Sequence, residues 1–172
     1  MGAHPVTARV RLPVVVFAAL VLHLSLFVAT RVGDAHPRVL LLMAVAAGFL
    51  RGPERGALLG FGLGLLADLF VQTPFGLSAL TYALVAFAVG GLQSGIIRSA
   101  WWIPSITALV ASFAGVVAYA LLGALIGQPY SLSVHLVAVA GGVGAMNAVL
   151  APLVVRAMSW ALASEPVRAF AR

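Results

Sequence analysis

The sequence predicts an all-α integral membrane protein, a bundle of six transmembrane helices joined by short loops. Three observations predict this. First, of 172 residues 63% are hydrophobic and 8% charged, with mean hydropathy +1.13, where a soluble domain carries about 25% charge. Second, six apolar runs follow one another with short polar turns between them, leaving no room for a soluble domain. Third, the arginines sort to one side of the layout those runs imply, as the positive-inside rule requires.

The runs are taken in order. Arg9 and Arg11 end a short head, and residues 12–30 are apolar for about 19 residues, enough to span. Pro13 sits where a first helical turn tolerates it. The basic head and apolar run also fit a signal peptide with a cleavage site near Gly33-Asp34-Ala35, but the hydrophobic runs that follow at once favour an uncleaved span. Residues 39–50 give about twelve apolar residues, roughly 18 Å as helix. That is short of a hydrocarbon core of about 30 Å. Either the run crosses with Arg38 and Arg51 snorkelling in a thinned bilayer, or it is re-entrant. Arg51-Gly-Pro-Glu-Arg55 reads as a tight turn, 56–71 as a third span of about 24 Å, and 72–76 as another turn. Residues 77–97 span comfortably and end at Arg98, with Trp101 and Trp102 as interface aromatics. Pro104 opens the run 103–126, Tyr130 marks the next turn, and 132–155 is the last span, closed by Arg156. In 156–172, Arg156, Trp160, Ser164, Arg168 and Arg172 recur every four residues, an interfacial strip that Pro166 is expected to break.

With the N-terminus in the cytoplasm, Arg9, Arg11, Arg51, Arg55, Arg98, Arg156, Arg168 and Arg172 fall inside and only Arg31 and Arg38 outside. Both termini are then cytoplasmic. The same count favours a true crossing at 39–50, since five spans would mix the sides. The net charge of +6, carried by arginine with no lysine, is thus a topology signal, and no nucleic-acid-binding patch is visible. The absence of cysteine excludes disulfides and thiolate metal sites.

The candidate functional stretch is 56–70. Gly56, Gly60 and Gly64 recur every four residues, and Asp68 takes the next step. Residues four apart lie nearly above one another on a helix, so this is a strip without side chains ending in the one acid inside an apolar run. Such a strip lets another helix approach closely. Asp68 falls roughly 20 Å along its span, in the outer half. It is either a ligand, proton or partner-helix site or an acid reaching water or the turn at 72–76. Asn147 lies midway along the last span and needs partners on another helix. Pro152 is expected to kink that helix and free a carbonyl. His4, His23, His36 and His135 show no metal spacing. Ser78 or Ser131 beside His135 is the one arrangement that invites a hydrolase reading, and it requires a proximity that is not read from sequence.

The run from Gly56 through Asp68, followed by Pro74-Phe75-Gly76-Leu77-Ser78-Ala79-Leu80 and Tyr82, resembles the MreD family of small polytopic rod-shape-determining proteins of bacteria. The family pattern is a glycine-rich helix ending in a Gly-Leu-x-x-Asp-like segment, here Gly64 to Asp68, then a Gly-x-x-Ala-Leu turn, here Gly76 to Leu80. Asn147, Pro152 and Arg156 match in the last span. The resemblance implies a bacterial cytoplasmic-membrane protein of the cell-elongation machinery, without catalytic residues or cofactors. Its implied partners are the coiled-coil membrane protein MreC, the elongation glycosyltransferase and transpeptidase, and the actin-like MreB indirectly. It also implies a fold similar to the substrate-binding subunit of energy-coupling-factor vitamin transporters. The expected function is a non-enzymatic scaffold that contacts its partners by helix packing and anionic lipid through its arginines. Gly56, Gly60, Gly64, Asp68, Gly76, Asn147 and Pro152 are its expected packing and contact residues. The alternative is a small-molecule-binding subunit of a vitamin-type transporter, with a polar pocket near Asp68 open to the outside.

Overall fold

A computed structural model describes residues 6–29, 38–70, 74–93, 102–128 and 134–162, with side chains from residue 10 to 21 in the first stretch. Arg31, His36, Arg98, Trp101, Tyr130, Ser131, His4 and the strip from Ser164 to Arg172, with Pro166, lie outside the described residues, as do the side chains of Arg9 and His23. The described residues form six helices and no strand. They are α1 (Val6–Ala29), α2 (Val39–Arg51), α3 (Pro53–Asp68), α4 (Leu77–Gln93), α5 (Ile103–Leu125) and α6 (Val134–Leu162). By length and composition α5 and α6 can each cross a membrane, and Val10–Val21, α2 and α4 are shorter apolar helices.

The short second helix is the axle of the bundle. Every residue from Val39 to Phe49 is buried, and α2 packs against each of the other five helices. Its sequence explains this: the run VLLLMAVAAGF has no polar face, and a helix that is apolar all round must be covered all round. The cover is protein rather than lipid, so its 13 residues need not match the bilayer thickness.

The other helices ring it, α3 against α4, α4 against α5, α5 against α6 and α6 against α1. Their outward faces carry Phe17, Leu58, Phe61, Leu84, Phe87, Val110, Leu125, Val149 and Leu153, all exposed. In a helical bundle with a buried polar set, an apolar exterior is the pattern of a protein solvated by hydrocarbon.

Several boundaries differ from those read in the sequence. The turn at 51–55 reduces to one residue: Arg51 closes α2, Gly52 takes φ +80° with its N–H on the Gly48 carbonyl, and Pro53 opens α3. A positive φ is open to glycine without a Cβ clash, and proline suits the first helical position because its missing N–H is not needed there. The third helix therefore starts and ends three residues before the expected 56–71. The last helix runs through Pro152 and on past Arg156 to Leu162, so residues 156–162 continue α6 rather than form a separate surface helix. Pro152 is exposed, on the outside of the bundle, where the ring of a helical proline meets no neighbouring helix.

Candidate functional site

The glycine strip faces inward, against α2 and α4. A Cβ built on Gly56 would lie 2.5 Å from the Gly48 Cα of α2, on Gly60 2.7 Å from the Tyr82 carbonyl oxygen, and on Gly64 2.4 Å from the Ala79 Cα. All three neighbours are backbone atoms, which cannot swing aside. The strip meets a row on α4 made of Ala79, the backbone of Tyr82, Ala86 and Gly90. At its far end a Cβ on Gly90 would lie 2.4 Å from the Gly52 carbonyl carbon, and one on Gly48 would lie 2.2 Å from the Ala86 carbonyl oxygen. Thus α2, α3 and α4 form one closely apposed trio. Gly48 and Gly90 escaped the sequence reading, although Ala86 and Gly90 stand four apart in the chain.

Asp68 ends the strip and holds the next helix. It is 5% exposed. Its Oδ2 accepts from the N–H of Gly76 at 2.8 Å and of Ala79 at 3.3 Å, and its Oδ1 accepts from the N–H of Ser78 at 3.1 Å. These donors are Gly76, just before α4, and Ser78 and Ala79 in its first turn, where N–H groups have no intrahelical acceptor. A carboxylate there satisfies them and also meets the positive end of the helix dipole. The acid is a cap supplied from the end of the preceding helix, and it reaches Gly76, the last residue of the expected turn. Gly76 contributes backbone rather than packing: its φ is +99°, open space surrounds its Cβ position, and its N–H is one of the three donors.

A second polar group ties α5 and α6 to the start of α2. The Nδ2 of Asn147, fully buried, donates to Ser112 Oγ at 2.8 Å and to the Arg38 carbonyl at 3.4 Å. The Arg38 guanidinium sits 5.1 Å from the centroid of the Tyr119 ring, a cation–π distance. Pro152 is not among the Asn147 partners. At the opposite end, Arg51 donates to the Leu162 carbonyl, meeting the negative end of α6, and Arg11 lies 4.8 Å from the Trp160 ring centroid. Ser112 and Tyr119 were not singled out in the sequence, and Arg51 only as a turn and topology residue, because long-range pairs leave no local spacing signal.

The serine and histidine of the hydrolase reading are placed differently. Ser78 is buried beneath Asp68, whereas His135 is exposed on the first turn of α6. Among the described residues no three His, Asp or Glu side chains gather as a metal site.

Among the described residues, two apolar grooves lie on the outside. One, of about 450 Å³, separates α4 from α5, and the other, of about 220 Å³, runs between α1 and α3 beside Gly62.

No curated protein and no solved structure matches the chain, so the likeness to a transporter's substrate-binding subunit rests on the resemblance alone. The family model described as rod shape-determining protein MreD matches residues 6–160. That span runs from the start of α1 to within two residues of the end of α6 and holds the glycine strip, the Asp68 cap and the Asn147 tie, and the chain belongs to the MreD family of bacterial rod-shape-determining membrane proteins.

Proposed function

We propose that this protein is a non-enzymatic membrane scaffold of the cell-elongation complex, a single polytopic domain whose six helices all cross the membrane. It links wall synthesis to the cytoskeleton by packing against the transmembrane helices of an MreC-like coiled-coil protein and of the elongation glycosyltransferase and transpeptidase, with MreB reached indirectly. The observation that carries this reading is the engagement of the buried acid. The Asp68 carboxylate is occupied by three backbone N–H groups, and the glycine strip is filled by α2 and α4. The interior is thus given to holding the bundle together, and the apolar exterior is what the protein offers to partners. The same engagement weighs against a vitamin-type transporter subunit, which needs Asp68 free to meet a ligand.

The two ends of the bundle support an orientation. Arg11, Arg51, Arg55 and Arg156 belong to the end where α1 and α3 start and α2 and α6 finish, joined by the Arg51–Leu162 and Arg11–Trp160 contacts. In the proposed topology this end and both termini are cytoplasmic, where basic side chains meet anionic lipid.

The test is recovery of the MreC-like protein and the two wall synthases from membranes of the same bacterium with the affinity-tagged full chain. Enrichment over an untagged control is expected. Clean recovery of the tagged protein with none of the three overturns the scaffold reading.

A further inference from the structure

The groove between α4 and α5 lies at the level of the apolar exterior. Its α5 wall is a seam of small residues, Ala111, Ala114 and Ala118, spaced three and four apart and so on one face. Thr107 extends the seam by one turn, giving a length of about 17 Å, or three helical turns. Leu92 and Val110 are exposed on its sides. An alanine seam lets a helix backbone approach closely, which is how helices associate in hydrocarbon.

A second observation says what fills it. Gln93 lines the groove and is 4% exposed. Its Nε2 donates to Thr107 Oγ1 at 3.4 Å, while its buried Oε1 has no hydrogen-bond partner among the described residues. An acceptor buried in apolar surroundings without a donor carries its full desolvation penalty. A lipid tail has no donor to offer. A helix with a hydroxyl or carboxamide at that depth has one. We propose that this groove seats one transmembrane helix of a partner protein, with small residues on the alanine seam and a Ser, Thr, Asn or Gln donor on Gln93 Oε1. The inference rests on the scaffold reading and locates the contact that reading requires.

The experiment co-expresses the full chain with the full-length MreC-like protein of the same bacterium and measures the partner recovered per molecule of chain. Three variants are compared with wild type: Ala114→Phe, which fills the seam; Gln93→Leu, which removes the acceptor; and Val149→Phe, on the exposed face of α6. Melting of each variant is measured without partner. Gln93→Leu is expected to melt no lower than wild type, since it removes an unsatisfied buried group. Ala114→Phe and Gln93→Leu are each expected to lower recovery by about threefold or more, with Val149→Phe at the wild-type level. Wild-type recovery with a folded Gln93→Leu overturns the groove assignment. So does loss confined to Val149→Phe, which leaves the scaffold reading standing. A change in self-association instead of partner recovery overturns it in favour of a second copy, and bound lipid displaced by Ala114→Phe without change in recovery overturns it in favour of lipid. If wild type recovers no MreC-like protein, the groove assignment falls, and the scaffold reading falls with it only if neither wall synthase is recovered either.

Discussion

Asp68 shows how one residue in hydrocarbon can look like a functional site and act as a structural one. A carboxylate in an apolar run demands a partner, and here the partner is the open first turn of α4. Replacing it tests the cap. Asp68→Asn keeps one acceptor oxygen but turns an amide donor towards backbone N–H groups that need acceptors. We expect it to lower stability by about 1–3 kcal/mol, read as a lower melting temperature of the purified protein in detergent. Ser112 is the complementary case. Ser112→Ala changes little volume yet strips Asn147 Nδ2 of its 2.8 Å partner, leaving the longer bond to the Arg38 carbonyl. Interhelical hydrogen bonds in membranes average about 0.6 kcal/mol with a maximum near 1.7, so a loss within that range is expected from the same measurement.

At the scale of the element, two glycines on one helix are predicted to behave oppositely. Gly62 has open space around its Cβ position, whereas a Cβ on Gly64 would press on the backbone of Ser78 and Ala79. Gly62→Leu is expected to leave melting within about 0.5 kcal/mol of wild type. Gly64→Ala, a smaller change, is expected to cost about 1–3 kcal/mol by forcing α3 and α4 apart. The central helix supplies the other test. Leu41 is fully buried, and Leu41→Ala leaves a cavity costing about 2–5 kcal/mol. A cost near zero would mean that α2 faces lipid. The glycine spacing of α3 was legible because a four-residue repeat is a local signal. The position of α2 was not, because hydrocarbon and a protein core select the same apolar residues and periodicity does not separate them. The run of α6 through Pro152 was equally hidden. Rules for proline in helices describe what the residue removes, not whether the surroundings tolerate the loss.

At the scale of the whole molecule, the architecture is a short axle inside a ring of five helices, stapled at both ends by polar contacts that cross the chain. Asp68 with α4 and Asn147 with Ser112 and Arg38 hold one end, and Arg51 with Leu162 holds the other. The sequence announced the helices and the strip, and it named Asp68 and Asn147 as residues needing partners. It offered the turn at 72–76 as one reading for Asp68 but no partner for Asn147, since Ser112 and Arg38 lie 35 and 109 residues from it. The central claim is that the glycine strip builds this bundle and that partners bind its exterior. The most direct measurement is the melting temperature of purified Gly60→Leu without any partner. A side chain there collides with the Tyr82 carbonyl and the Ala86 side chain, so the account predicts destabilisation of the isolated protein by about 3 kcal/mol or more. An isolated Gly60→Leu that melts like wild type, yet no longer recovers its membrane partner, would contradict it and place the strip on the partner surface.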